Sequence, residues 1–336
     1  MRTKLKRLRE QVIVITGASS GIGLATAELA AREGARVVLN SRNEAELREI
    51  TDRVNGRGGR ATYVVGDVAD DEAMELVAQR ALDEFGGFDT WVNNAGIGMY
   101  GKTWEMTLAD KRRLFDVNFW GVVHGCRAAV PHLRRHGGAL INIGSVASDV
   151  ATPLLGIYSA SKFAVKGYTD ALRMELEHER APVSVTLVKP GPTNTPFIEH
   201  ARNYMEAEPE FAPPVFAPES VARAILRCAE RPTREIIVGG PNRMMSMVGT
   251  VAPRLMDVYM ENSLFTQQQR KDEPADAWDS LYEPRHDGSR RGPTNRYTIE
   301  RSAYTRAALS DAGRILPVIA IGALVAAGVR ASRKAS

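Results

Sequence analysis

Short apolar runs alternate with longer segments of helical spacing along the first 240 residues of the chain. The first run, "VIVITG" at residues 12–17, is continuously apolar and ends at a glycine, as buried strands of parallel sheets do. The segment "GLATAELAAREG" follows with helical spacing, and we expect this helix to end at Gly34. Six more strands are predicted at residues 36–41, 61–67, 89–96, 138–145, 183–191 and 234–240.

The segments between these strands predict helices at residues 44–55, 71–86, near 107–135, near 158–179, and at 218–230. Parallel neighbours need crossover connections, which are right-handed, so the alternation predicts a doubly wound α/β fold. The expected sheet is of Rossmann type, mainly parallel, with about seven strands. The chain then divides into a basic lead-in, an α/β catalytic domain, an extension and an apolar tail, at residues 1–10, 11–250, 251–311 and 312–336.

The turn between the first strand and the first helix, "TGASSGIG", contains Gly17, Gly21 and Gly23. Glycine suits a backbone that turns sharply or approaches a diphosphate closely, and the helix N-terminus offers free N–H groups to the anion. Ligands of open α/β sheets bind at the carboxyl ends of the strands, where this turn lies. The motif predicts a nucleotide site, although glycine-rich turns also occur for packing alone.

The end of the second strand, "LNSRNEAEL", distinguishes between the two nicotinamide dinucleotides. An acidic residue there would bind the ribose 2′-hydroxyl of NAD. Ser41 stands at that position and Arg42 follows it, and a neutral residue beside a guanidinium favours the 2′-phosphate of NADP(H) over NAD(H). The alternative is that Arg42 is a surface residue paired with Glu44 or Glu46.

Candidate chemistry lies in "SVASDVATPLLGIYSASK". Ser145 ends a strand, and Tyr158 and Lys162 are spaced i and i+4, which places them on one helical face. A tyrosine of ordinary pKa, about 10, exchanges protons poorly at neutral pH. A neighbouring ammonium favours the phenolate, so we expect Lys162 to lower the pKa of Tyr158 and the pair to act in acid–base catalysis.

These features together resemble the short-chain dehydrogenase/reductase family, in its single-domain form, over about residues 11–240. The resemblance rests on seven landmarks in order: "TGASSGIG", Asp67 after the third strand, "NNAG" at 93–96, "VNFWG" with Asn118, Ser145, "YSASK" at 158–162, and "PGPTNTPF" at 190–197. It implies NAD(P)-dependent oxidation of an alcohol or reduction of a carbonyl.

The resemblance also implies a role for each matching residue. Tyr158 would pass the proton to or from the substrate oxygen, and Lys162 would assist it and hydrogen-bond the nicotinamide ribose. Ser145 would hold the substrate carbonyl, and Asn118 would anchor a water of the proton relay. The implied cofactor site comprises Gly17, Ser19, Ser20, Gly21, Ile22, Gly23, Ser41, Arg42, Asp67, Val68, Asn94, Ala95, Gly96, Tyr158, Lys162, Pro190, Gly191, Thr193 and Thr195. Asp67 and Val68 would meet the adenine.

The expected substrate is a lipophilic alcohol or carbonyl, because few charges fall in the segments that border the pocket in this family. The apolar candidates are Ile97, Met99, Tyr100, Val146, Leu154, Leu155, Ile157, Phe197, Phe211, Val215 and Phe216. Two alternatives remain open. One is a dinucleotide-binding sensor without turnover, and the other is a membrane-associated scaffold.

Beyond residue 250 the resemblance fades. Residues 251–269 predict a helix against the core, and 270–300, rich in charge, proline and glycine, predict an extended or partly disordered arm. "ILPVIAIGALVAAGV" at 315–329 has no polar side chain and is bracketed by Arg314 and Arg330. As a helix it would span about 22 Å, short of the ~30 Å bilayer core. Membrane association is expected, with a helix buried in an oligomer interface as the alternative.

Charge and cysteine content narrow the partners further. The net charge is +4, and the bases concentrate at the two chain ends, a pattern that fits an anionic membrane surface better than a nucleic-acid groove. Cys126 and Cys228 are far apart, without metal or redox spacing, so we expect inert thiols and no metal site. We expect no secretory signal and no nucleic-acid partner. The expected protein is a cytoplasmic homo-oligomer, associated with a membrane through residues 315–329.

Overall fold

The computed structural model describes residues 3–274, 278–285, 288–294 and 296–310. Its centre is a seven-stranded sheet in which all neighbours run parallel, in the order β7-β6-β5-β4-β1-β2-β3. The strands are β1 (Val12–Thr16), β2 (Arg36–Ser41), β3 (Arg60–Val65), β4 (Thr90–Asn93), β5 (Gly138–Ile143), β6 (Val183–Lys189) and β7 (Glu235–Ile237). The predicted Rossmann-type sheet of seven strands is confirmed.

Helices cover both faces of this sheet and extend beyond its last strand. They are α1 (Gly21–Arg32), α2 (Glu44–Gly56), α3 (Asp71–Phe85), α4 (Leu108–Phe115), α5 (Gly121–His136), α6 (Gly156–His178), α7 (Pro218–Glu230), α8 (Gly240–Val251) and α9 (Pro253–Tyr259). Shorter helices are Leu8–Glu10, Val146–Ser148, Phe197–His200, Phe265–Gln267 and Ala303–Ala308. Successive strand residues point to opposite faces, so the described chain has one large apolar cluster on each side of the sheet.

The strand residues show this division directly. Val14 and Leu140 pack in one cluster with the fully buried Trp91, whereas Ile13 and Ile141 pack in the other. Every strand of the sheet's centre is thus apolar on both faces, as its sequence predicted. The register places Ile13 between Val37 and Thr90 in the two neighbouring strands.

The helix predicted near 107–135 is interrupted at Asp116–Trp120, which forms one π-helical turn between α4 and α5. Within it the Gly121 N–H bonds the carbonyl of Asp116, five residues back. Such a turn adds one residue to the helical repeat and is frequent at functional sites. Asn118 lies at its centre and is fully buried.

Described residues of the extension pair with short strands of the α/β domain. The short strand Gln269–Pro274 pairs antiparallel with Ala207–Pro209, and Thr298–Ile299 pairs parallel with Val215–Phe216. A further short pair joins Met99–Tyr100 to Arg202–Asn203. Residues 251–269, for which the sequence predicts a helix, contain α9, a π-helical turn at Met260–Leu264, and the short helix that follows it.

The apolar tail at 315–329 lies outside the described residues. Among the residues that are described, we find no helix with both the length and the apolar character needed to cross a bilayer. Of the segment at 270–300, for which the sequence predicts an extended arm, the structure describes residues 270–274, 278–285, 288–294 and 296–300.

Candidate active site

The glycine-rich turn is tied to the end of β4 by hydrogen bonds. Asn94 donates from Nδ2 to the carbonyls of Thr16 (2.9 Å) and Gly17 (3.1 Å). In return the Thr16 hydroxyl accepts the backbone N–H groups of Asn94 (3.0 Å) and Ala95 (3.1 Å). The predicted "TGASSGIG" and "NNAG" motifs therefore form one joined structure at the carboxyl edge of the sheet.

Two glycines of this turn have no room for a side chain. Gly17 has φ +62°, and a Cβ there would lie 2.7 Å from the Cα of Ala95. A Cβ on Gly23 would lie 2.0 Å from the carbonyl oxygen of Gly17. The turn thus packs closely beside the first turn of α1, where the Gly21 N–H donates to the carbonyl of Ser289 (2.9 Å) and the next N–H groups lack partners within the helix.

A groove of about 190 Å³ runs along this edge, from the glycine-rich turn to the ends of β2 and β3. The predicted residues that line it are Gly17, Ser19, Ser20, Gly21, Ile22, Ser41, Arg42, Asp67, Val68, Asn94, Ala95, Gly96 and Thr195. Asn40 lines it as well, and its buried Oδ1 accepts no hydrogen bond from the described residues. N–H groups at the start of α1 suit a diphosphate, and the Asn40 Oδ1 suits a donor such as a ribose hydroxyl or an amine, so these residues fit a dinucleotide.

Arg42 reaches into the groove, but its guanidinium is already in contact with neighbours. It donates from Nη1 to the carbonyl of Tyr282 (2.7 Å) and from Nη2 to that of Ser280 (2.5 Å). Asp67 lies 3.9 Å from its Nη1 and is also bonded by Arg113. The surface pairing with Glu44 or Glu46 is not what the structure shows. Instead, Arg42 is held by carbonyls more than 230 residues away in the sequence.

Ser145, Tyr158 and Lys162 meet at the wall of a second, larger cavity of about 550 Å³. Ser145 caps the short helix after β5, and its hydroxyl accepts the N–H of Ala147 (3.1 Å) and donates to the carbonyl of Pro190 (3.4 Å). Lys162 donates from Nζ to the carbonyl of Ile143 (3.0 Å), and its Nζ lies 5.7 Å from the centre of the Tyr158 ring. The three side chains therefore form one group where β5 ends and α6 begins.

Burial sets the protonation of this group. It raises the pKa of Tyr158 to about 12, and the hydrogen bond from Ser145 opposes that rise. Burial also lowers the pKa of Lys162 to about 8. The raised pKa of Tyr158 is opposite in direction to the lowering expected from Lys162, because loss of solvent is the largest cause of the shift. At neutral pH Tyr158 is a phenol, ready to donate a proton.

Asn118 does not line either cavity. Its amide bridges two segments: Oδ1 accepts the N–H of Ile97 (2.8 Å), and Nδ2 donates to the carbonyl of Ile97 (3.0 Å) and to the hydroxyl of Ser161 (3.2 Å). The Ser161 hydroxyl in turn donates to the carbonyl of Tyr158 (2.7 Å). The side chain of Asn118 thus links the loop after β4 to the catalytic helix.

The larger cavity joins the groove, since Ile22, Asn94, Gly96 and Thr195 line both. The larger cavity is also lined by Pro190, Gly191 and Thr193, for which the sequence predicts a place at the nicotinamide. Five of the eleven apolar candidates face it: Tyr100, Val146, Leu155, Phe197 and Phe211. Ile97 lines the groove instead, and Val215 and Phe216 are buried in the protein core.

Sequence reasoning missed the cavity wall formed by α8 and α9. Met244, Met245 and Val248 of α8 and Leu255, Met256 and Tyr259 of α9 line the cavity. The helical spacing of these residues was visible in the sequence, but nothing local shows which side of the domain they cover. Residues Ser280, Pro284 and Arg285 of the arm were missed in the same way, and they line the groove.

Comparison with known proteins agrees with this geometry. Residues 11–206 match the short chain dehydrogenase family. An uncharacterized oxidoreductase of Bacillus subtilis, YxnA, is 44% identical over 91% of this chain and 87% of its own length. A 3beta-hydroxysteroid dehydrogenase of Eggerthella lenta is 35% identical over 65% of this chain and 85% of its own. The crystal structure of a short chain dehydrogenase/reductase from Burkholderia phymatum with NAD has a TM-score of 0.67 at 27% identity, covering 76% and 96% of the two chains.

The pKa of Tyr158 can be measured directly. We expect the ultraviolet difference spectrum between wild type and Tyr158→Phe to show no phenolate below about pH 10, because burial keeps this phenol protonated. Tyr297→Phe supplies the control, because it removes a phenol that is 86% exposed instead of a buried one. Ionisation of Tyr158 near neutral pH would show that the positive charge of Lys162 outweighs burial.

Proposed function

The chain belongs to the short-chain dehydrogenase/reductase family, whose members are NAD(P)-dependent oxidoreductases of alcohol and carbonyl groups. From that premise we propose that it is an NADP(H)-preferring enzyme for a lipophilic substrate, with Tyr158 as general acid/base. The observation that carries the proposal is the meeting of Ser145, Tyr158 and Lys162 on a cavity that joins the dinucleotide groove.

In the proposed mechanism the chain's own groups act on the substrate oxygen. Ser145 orients a carbonyl by donating a hydrogen bond, and Tyr158 donates its proton to that oxygen as the alcohol forms. A bound nicotinamide cofactor supplies the hydride for the carbonyl carbon. Alcohol oxidation reverses these steps, so Tyr158 must first lose its proton. Its raised pKa therefore favours reduction at neutral pH.

The proposed preference for NADP(H) is supported by the end of β2. Ser41 and Arg42 both line the groove, and no carboxylate stands at the end of β2 where an acid would bind the NAD ribose. The carbonyls of Ser280 and Tyr282 fix the plane of the Arg42 guanidinium, and its nearest carboxylate, Asp67 at 3.9 Å, is shared with Arg113. A fixed guanidinium is suited to bidentate contact with a phosphate.

A lipophilic substrate is supported by the size and lining of the cavity. About 550 Å³ is ample for a lipid-like molecule, and most of the residues that line it are apolar. The ring of Phe197 lies 5.4 Å from that of Tyr158, so an apolar surface begins beside the reacting position. The relative from Eggerthella lenta bears the name of a hydroxysteroid dehydrogenase, and a hydroxysteroid is a lipophilic alcohol.

We also propose that residues 315–329 bring the enzyme to a membrane, on the cytoplasmic side where NADPH is expected. The support is their composition, together with exposed apolar side chains on the two helices that wall the substrate cavity. These include Met244, Val251 and Leu255, exposed by 65%, 83% and 65%. A lipophilic substrate would then enter close to the lipid surface.

A homo-oligomer, as expected from the family, remains part of the proposal.

The first test of this function removes the phenol of the proposed acid. Tyr158→Phe should bind NADPH as wild type does, while reduction of a lipophilic ketone falls by roughly two to four orders of magnitude, as for loss of a general acid. Binding is measured by quenching of protein fluorescence, and turnover by NADPH absorbance. Turnover close to that of wild type would contradict the assignment of Tyr158.

Cofactor choice is tested at the end of β2. Arg42→Ala should weaken NADPH binding by about tenfold more than it weakens NADH binding, because only NADPH has a 2′-phosphate that loses the guanidinium. Ser41→Asp should act in the same direction by repelling that phosphate. Equal losses for both dinucleotides, or a wild type that prefers NADH, would show that Arg42 serves the fold alone.

The tail is tested by shortening the chain after residue 311. The full chain should sediment with anionic vesicles and the shortened chain should stay in the supernatant, because the fifteen apolar residues and four bases are gone. Turnover of a water-soluble carbonyl should be almost equal in the two forms. A full chain that ignores vesicles, forms a defined oligomer and dissociates on shortening would support the oligomer-interface alternative.

A further inference from the structure

The arm, defined here as residues 278–285 and 288–294, crosses the dinucleotide groove from one bank to the other. On the bank formed by the sheet edge, its backbone accepts hydrogen bonds from Arg42 and Asn43. On the opposite bank, the N–H of Ser280 donates to the carbonyl of His200 (2.9 Å), and Arg285 donates to that of Glu199 (2.8 Å). An element bound to both banks of a groove forms its roof.

One end of the arm is anchored deeply. Leu281 is fully buried in a main apolar cluster. The carbonyl of Leu281 accepts a hydrogen bond from Arg113 (3.0 Å), beside the carbonyls held by Arg42. Asp279 pairs with Arg202 (2.5 Å), and the Tyr282 hydroxyl donates to the buried Asp110 (2.8 Å). We call this end, residues 279–282, the anchor.

The other end is held by exposed charges. Ser289 accepts the N–H of Gly21, the first residue of α1, at 2.9 Å. Arg291 pairs with Glu219 (3.1 Å) and Glu300 (2.8 Å), and Arg290 pairs with Glu219 (3.3 Å). The side chain of Arg290 is 46% exposed and that of Arg291 is 41% exposed. We call this end, residues 288–291, the latch.

Between the two ends the arm faces the groove directly. Ser280, Pro284 and Arg285 line it, opposite the glycine-rich turn and the end of β2. We propose that the arm is part of the cofactor site: it closes over the adenosine and diphosphate half of the bound dinucleotide, and the latch must open before the cofactor can leave. This inference rests on the proposed function, since it concerns the same groove.

The two ends differ in strength, which decides which of them opens. The anchor combines a buried leucine with part-buried, charge-assisted hydrogen bonds, which are stronger than neutral ones. The latch relies on partly exposed ion pairs, each of which contributes little because water screens it. Opening therefore begins at residues 288–291, while residues 279–282 stay in place as the hinge end.

Two variants test the latch with opposite changes of charge. Arg291→Ala removes a positive charge near the anionic dinucleotide, and Glu219→Gln removes a negative one. If the latch controls release, both should speed NADPH dissociation in stopped-flow displacement, by about fivefold, the scale of one or two exposed ion pairs. Arg134→Ala, which breaks an exposed pair with Glu179 at the far ends of α5 and α6, is the matched control and should change nothing.

A second measurement needs no variant. NADPH bound beneath the arm should slow tryptic cleavage after Arg290 and Arg291, and the slowing should be smaller in Glu219→Gln. Opposite effects of the two variants on dissociation would reveal charge attraction alone, and faster cleavage with NADPH would show that the cofactor displaces the arm. Either result overturns the inference while leaving NADPH binding intact. Failure of wild type to bind either dinucleotide would instead overturn the proposed function.

Discussion

The site depends on the hydrogen bonds that join the ends of β1 and β4. Asn94 and Thr16 bond each other's backbone, and this holds the glycine-rich turn against the loop that leads to Ile97. Asn118 carries the same constraint onward, from Ile97 to the start of α6. A parallel sheet brings its loops to one edge, but these side chains set the spacing between the nucleotide groove and the catalytic tyrosine.

Burial then shifts the pKa values of Tyr158 and Lys162. The carbonyl of Ile143 accepts a hydrogen bond from Lys162, so the lysine is positioned even though burial lowers its pKa to about 8. Tyr158 stays a phenol for the same reason, and Ser145 lines the same cavity. Apolar side chains of α8 and α9 line the cavity beside these groups. Dry surroundings strengthen each of these polar contacts.

Much of this arrangement could be predicted from the sequence, because it follows from local patterns. Apolar runs ending in glycine marked the strands, and the spacing of Tyr158 and Lys162 on a helix requires only the helical repeat. The π-helical turn at Asn118 could not be predicted, since nothing local distinguishes it from an ordinary helix. The contacts of Arg42 with Ser280 and Tyr282 lie beyond any local signal as well. The direction in which the pKa of Tyr158 shifts depends on burial, which is set by the whole fold and not by a local pattern.

In the proposed reaction, hydride passes directly between the cofactor and a carbonyl or alcohol carbon while Tyr158 exchanges the proton. The most direct measurement offers NADPH, deuterated at its reactive hydrogen, with a panel of lipophilic ketones and aldehydes and follows the label by mass spectrometry. We predict that one product alcohol carries a single deuterium on its carbinol carbon, with the hydroxyl proton drawn from solvent. Tight binding of NADPH without a labelled alcohol from any carbonyl of the panel would contradict this account and favour a dinucleotide-binding sensor.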